Sequence, residues 1–224
     1  MAAGAFLFWL LAPGYWLLLP AVRPAILAVR RVSRLRCPAG DTMAVMELKG
    51  KRVAVFIDTL YQEMEVWYPY FRLQEAHVEV SFVGAEAGRT YNSKLGYPAK
   101  TSLSYDQCHT RDYDGVVIPG GYAPDHIRRH PKANQFVRDM NGEGKLVASI
   151  CHGPWVLCSA GILKGRRATS FFAIKDDVIN AGAIFEDSEV VVDWNLVTSR
   201  KPEDLPAFCR ASIKVLSGGP VFPK

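Results

Sequence analysis

Cys151 is the residue of this chain whose neighbours best equip it as a nucleophile. It lies in Ala148-Ser149-Ile150-Cys151-His152-Gly153-Pro154, with small residues two positions before and two after it. This is the spacing of a nucleophile elbow, a tight strand-to-helix turn that carries the reactive side chain. Pro154 suits the first helical turn, where its missing N–H costs little. A thiol at a helix N-terminus feels the positive end of the helix dipole and the free amide N–H groups. The sequence therefore predicts a thiol pKa below the roughly 8.5 of free cysteine. The same amides can hold an oxyanion formed when a thiolate attacks a carbonyl. The bland reading is a buried, inert cysteine, and it is the one adopted for Cys37, Cys108, Cys158 and Cys209, which have no such setting.

His152 follows directly and is the last of five histidines. If a histidine assists Cys151, His152 is the leading candidate; its bland role is a solvent-facing residue at a helix start. His126 and His130 lie just before Pro131 and read as surface residues. Class I glutamine amidotransferases also use an elbow cysteine, but take their base from a histidine far downstream. No histidine follows residue 152, which argues against that chemistry. Neither GxGxxG nor GxxxxGK[ST] occurs, so no phosphate-cradling loop points to a nucleotide or flavin. The five cysteines form no CxxC pair, and no metal or other cofactor is expected. They are too few and too scattered for a disulfide scaffold, and a reducing, cytoplasmic setting is the simplest reading.

The elements that must position the elbow follow from residue 51 onward. VAVFI (53–57) is a short β-rich apolar run suited to a strand buried on both faces. Residues 63–76 fit an amphipathic helix with Met64, Trp67, Tyr68 and Phe71 as its core face, although Pro69 interrupts the pattern. Further strands are expected at 78–84, 115–121 and 146–150, small hairpins at 88–105 and 189–199, and helices at 131–143, 153–161, 173–181 and 203–216. Strands alternating with helices imply an α/β sandwich with a mainly parallel sheet and helices on both faces. Ligands bind beyond the carboxyl ends of strands in such sheets. The strand ends of interest are Pro119-Gly120-Gly121 and Ile150-Cys151-His152-Gly153, whose glycines Gly120, Gly121 and Gly153 are candidates for an oxyanion-holding backbone.

Residues 1–46 stand apart. The first 22 carry no charged side chain and would span about 33 Å as a helix, against about 30 Å of bilayer hydrocarbon. Five arginines (Arg23, Arg30, Arg31, Arg34, Arg36) follow, with no acid before residue 41. Three readings compete: a signal anchor that leaves the following domain cytoplasmic, an organellar presequence, and a start assigned too early with Met43 or Met46 as the true one. All three separate residues 1–46 from a domain at 47–224, with membrane contact possible through residues 1–22. Without those five arginines the chain has 22 basic and 22 acidic residues, so bulk charge gives no footprint for nucleic acid.

From about residue 51 to 217 the chain resembles the PfpI-type intracellular cysteine peptidases of the PfpI/ThiJ superfamily. The motifs are Tyr68-Pro69-Tyr70, Ile118-Pro119-Gly120-Gly121 with Ala123-Pro124, the elbow around Cys151, and Ile174-Lys175-Asp176-Asp177 with Ile179-Asn180-Ala181-Gly182. The resemblance implies a flavodoxin-like three-layer fold with the glutamine-amidotransferase type of elbow. It also implies self-association, with active sites at subunit interfaces. It makes Cys151 the nucleophile and His152 its partner. The acid that orients His152 is Asp125, contributed by a neighbouring subunit, where close relatives carry glutamate. A glutamate of the first helix stands beside the thiol, and Glu65 matches it; Glu63 reads as a solvent-facing helix residue. The implied activities are peptide hydrolysis and glycation repair or glyoxalase-like chemistry on methylglyoxal adducts, all by thiolate attack on a carbonyl-derived carbon, and a stress-response role goes with them. The competing reading from another class is a redox sensor or holdase in which Cys151 oxidises reversibly.

Overall fold

The structure, a computed structural model, describes residues 48–218; the expectations for residues 1–46, Cys37 included, lie outside the described residues. In chain order the elements are β1 (Arg52–Phe56), α1 (Glu63–Glu75), β2 (Glu79–Gly84), β3 (Thr90–Asn92), β4 (Pro98–Lys100), β5 (Leu103–Ser104), β6 (Gly115–Ile118), α2 (Ala123–Ile127), α3 (Pro131–Gly142), β7 (Leu146–Ile150), α4 (Pro154–Ala160), β8 (Arg167–Ala168), α5 (Lys175–Asn180), β9 (Ile184–Phe185), β10 (Val190–Asp193), β11 (Leu196–Ser199) and α6 (Leu205–Leu216). Seven strands form one sheet in the order β10-β11-β7-β6-β1-β2-β5. Only the β10–β11 pair is antiparallel within it. The central strands β6 and β7 are buried throughout, as their unbroken apolar runs require of strands covered on both faces. Helices α1 and α6 pack on each other, while α2, α3 and α5 gather around α4. The flavodoxin-like α/β sandwich expected from the sequence is what forms. Among the described residues no helix is long and apolar enough to cross a membrane.

The extent of α1 matches expectation, but its orientation does not. Its buried residues are Glu65, Val66, Pro69 and Leu73. Met64, Tyr68 and Phe71 are instead exposed, and Trp67 joins Tyr70, Phe82 and Tyr97 in an aromatic cluster between the helix and the β3–β4 hairpin. The helix has two apolar faces, so periodicity alone could not choose between them. The branched and compact side chains cover the sheet, and the bulky ones lie outward. Gln62 caps the helix by accepting from the Glu65 N–H at 3.0 Å, and the helix runs through Pro69 without a break. The five-residue α2 was not expected at all; it is too short to show a period.

In the sheet β1 lies between β6 and β2. The chain goes from β1 outward to β2, then returns to β6 on the other side, so strand order reverses between β1 and β6. Crevices at such switch points are where this architecture binds ligands. Three connections meet there: β1 to α1, β6 to α2, and β7 to α4.

Candidate active site

Residue 151 turns the chain from β7 into α4 with a left-handed backbone, φ 62°. A non-glycine residue in that conformation is uncommon and strained. The turn is held from both sides: the Cys151 N–H donates to Ser199 O at 3.0 Å, and Phe171 N–H donates to Cys151 O at 2.9 Å. Gly153 fits because a Cβ there would lie 2.5 Å from Ile118 O and Ser149 Oγ. The elbow read from the spacing of small residues is therefore present. The thiol it carries is largely buried, with 7% of the residue exposed.

Gly120, at the end of β6, is the point on which the site converges. A Cβ at this position would lie 2.7 Å from Cys151 Cβ, 2.7 Å from Glu65 Oε2 and 2.9 Å from His152 N. Two groups of the β7-to-α4 turn and one from α1 thus crowd around one hydrogen of the β6-to-α2 turn. Glu65 is fully buried on the inner face of α1. Its Oε2 accepts from Gly120 N–H at 2.7 Å, while Oε1 is buried with no conventional hydrogen-bond partner and the side chain is coupled to the Cys151 thiol. Burial pushes the Glu65 carboxyl up to about 7, against the opposing pull of the Gly120 amide and the thiol.

Burial also raises the Cys151 thiol, and the Glu65 charge raises it further, while the backbone N–H groups of His152 and Gly121 act the other way. The depressed thiol pKa expected from the helix N-terminus is therefore not what the chain gives: burial raises it first, and the Glu65 charge adds to that. Desolvation and a buried carboxylate outweigh the amides. Each group shifts the other, so the two titrate together rather than as independent sites. When Glu65 holds a proton, the carboxyl becomes a donor and the thiolate loses its repelling neighbour.

His152 Nδ1 lies 3.2 Å from Cys151 Sγ, and the ring is half-buried rather than solvent-facing. It stacks on Phe171 with centroids 5.0 Å apart and meets Trp155 edge-on at 5.3 Å. Burial, and secondarily the charge of Lys94, lowers its pKa, so the imidazole is neutral and able to accept a proton at pH 7.

Asp125 lies in the first turn of α2 and pairs with Arg129 one turn later. Of the three candidate glycines, Gly121 is the one whose backbone N–H lowers the thiol pKa. The Gly120 N–H is taken by Glu65 and the Gly153 N–H by Ile150 O. The backbone N–H of His152 acts on the thiol in the same direction, a contribution absent from the sequence reading because a backbone direction leaves no trace in residue type. Glu63 is also not the solvent-facing residue expected. Its Oε1 accepts from Ser93 Oγ at 2.7 Å and from Leu95 N–H, tying the β3–β4 hairpin to the start of α1.

Residues 51–215 match the model of the DJ-1/PfpI family. The chain belongs to that family. Its DJ-1/PfpI relatives include the deglycase PfpI of Pyrococcus furiosus, 47% identical over 156 residues, which cover 70% of this chain and 93% of that one. They include protein/nucleic acid deglycase 2 of Escherichia coli, 40% identical over 169 residues, covering 75% and 98%. Among solved structures, a two-domain protein of Anabaena variabilis with DJ-1/ThiJ/PfpI-like and ferritin-like domains is 39% identical with a TM-score of 0.74. That likeness covers 78% of this chain and 50% of that one. The expected class, a PfpI-type cysteine hydrolase acting as peptidase or deglycase, is borne out by this kinship.

Proposed function

We propose that the chain hydrolyses small methylglyoxal adducts of amines, with Cys151 as nucleophile, His152 as its base and Glu65 as the buried proton partner. The observation that carries this reading is the convergence of the Glu65 carboxyl, the Cys151 side chain and the His152 backbone N–H on the one missing side chain at Gly120, with His152 Nδ1 3.2 Å from the sulfur. The thiol proton passes to neutral His152, whose Nδ1 is within reach. Protonated His152 gives its proton to the amine as the carbon–nitrogen bond of the hemiaminal breaks, and the thiolate adds to the aldehyde carbon so released, its carbonyl electron pair moving onto oxygen. The backbone N–H groups of Gly121 and His152, which act on the thiol, are the candidates to hold that oxyanion. A 1,2-shift of hydrogen from that carbon to the neighbouring ketone carbon turns the hemithioacetal into a lactoyl thioester with no external oxidant, and water hydrolyses the thioester to restore the thiol. Overall one water is consumed, and free amine and lactate are released. The low exposure of Cys151 favours small adducts over an extended peptide.

The reading includes a homo-oligomer in which Asp125 of one copy orients His152 of another. Two observations support it: within its own chain Asp125 is engaged by Arg129 rather than by His152, and α2 packs beside α4, the helix that begins at the elbow. Purified full-length protein should release lactate from methylglyoxal-modified amino acids faster than it cleaves fluorogenic peptides, and Cys151→Ala should abolish both. Mixing Cys151→Ala with Asp125→Ala should restore activity as copies exchange. Peptide cleavage without lactate release would overturn the substrate assignment, and no recovery despite exchange would overturn the shared site.

A further inference from the structure

Lys94 belongs to no group that the reaction above uses, yet the fold brings it to the rim of the site. The loop between β3 and β4 is held firmly. Ser93 is buried, its hydroxyl donates to Glu63 and accepts the Tyr97 N–H at 2.9 Å, and the Lys94 N–H donates to Tyr61 O at 2.9 Å. Tyr61 bridges to Ser93 on one side and to Gly121 on the other. Paired backbones lie about 4.8 Å apart, so Lys94 starts about 10 Å from the Gly121 turn and reaches from there on a four-carbon stem. Among the described residues no carboxylate forms an ion pair with it. Glu63, the nearest acid in the hairpin clamp, already accepts from Ser93 and Leu95. The Lys94 charge acts on Glu63 beside the hairpin and is also felt inside the site, where it acts on both Glu65 and His152.

We infer that Lys94 is a specificity-determining residue that binds an anionic group of the substrate beside Cys151. The substrate class this selects is a small adduct bearing a free carboxylate, such as a methylglyoxal-modified free amino acid, over the same adduct on an amide-capped residue. An ammonium without an ion-pair partner on a pinned loop attracts a carboxylate without reorganising that loop. The substrate statement rests on the hydrolase reading above, but the affinity of the site for an anion does not.

Cys151 itself reports on that affinity. Iodoacetate and iodoacetamide alkylate the same sulfur by displacing iodide, and only the first is anionic. Their rate ratio at Cys151, followed by mass spectrometry in the full chain, cancels any change in thiolate fraction. Lys94→Met should lower the iodoacetate-to-iodoacetamide ratio by at least about threefold, the effect of one nearby charge in a largely aqueous setting. Lys94→Glu should lower it further, and Lys94→Arg should restore it. All three keep the backbone N–H to Tyr61. In turnover, Lys94→Met should lower the kcat/KM ratio of free over amide-capped adduct by a similar factor. A change in alkylation ratio below threefold in Lys94→Met overturns the inference. If the ratio falls as expected while the wild-type protein turns over neither adduct, the anion site stands and the hydrolase reading fails.

Discussion

Replacing Glu65 by glutamine should make the fold more stable above neutral pH while impairing the chemistry. The carboxyl is held at about 7 instead of its ordinary 4.5, chiefly by burial. Between those two values the folded state binds a proton that the unfolded chain has released. Stability therefore falls as pH rises through this window. The loss is roughly 3 kcal/mol by pH 8 and only about 1 kcal/mol at pH 5. Glutamine cannot ionise, and its carbonyl can still accept the Gly120 N–H that Glu65 Oε2 accepts at 2.7 Å. Urea unfolding of both proteins at about pH 5 and pH 8 measures the difference. The stabilisation by Glu65→Gln should be larger at pH 8 by roughly 2–3 kcal/mol, with the slope against urea unchanged. An equal effect at both pH values would refute the claim that Glu65 is a carboxyl protonated by burial.

The same substitution removes the charge that raises the Cys151 thiol, so the pH midpoint of iodoacetamide alkylation should fall by about one unit or more; an unmoved midpoint contradicts the coupled titration. Gly120→Ala should cost about 1–3 kcal/mol in thermal or urea unfolding and reduce kcat/KM about 100-fold, because its Cβ would overlap Cys151 and Glu65; near-normal activity would show that the three groups are not held where they are described. Phe171→Ala strips the stacked ring from His152, so the imidazole, freed of burial, should titrate at higher pH by NMR, and the acidic limb of the rate profile should move up with it. The segment 47–224, made alone, should fold and retain the elbow's reactivity toward iodoacetamide; aggregation of this piece while the full chain stays monodisperse would show that residues 1–46 belong to the fold.

Much of the fold was legible because parallel strands buried on both faces read as continuous apolar runs. Val53–Ile57 and Leu146–Ile150 stand out for that reason. The elbow was legible because a crowded turn admits only small neighbours, and Ser149 and Gly153 are set at the required distance from Cys151. The orientation of α1 was not. Hydrophobicity favours the face with Met64, Trp67 and Phe71, whereas the sheet receives Val66, Pro69 and Leu73, with Glu65 buried among them. A buried carboxyl runs against the pattern that periodicity seeks, and in this chain it marks the site. The state of the thiol was also beyond the sequence. The helix dipole could be inferred from spacing, but the opposing desolvation and the Glu65 charge arise only once the chain is folded.

The left-handed backbone at Cys151 sets selection for chemistry against selection for stability. An L-residue at φ 62° costs about 1 kcal/mol that glycine would not, and the ionised Glu65 is a second cost in the same few cubic ångströms. A lineage no longer held to the reaction would shed the ionisation cost by substitution at residue 65 and the backbone strain by substitution at residue 151. Drift toward glycine at 151 or glutamine at 65 is therefore the mark to expect of descendants that kept this scaffold and abandoned its catalysis. Retention of both residues against that gradient is a running record that the chemistry is still in use.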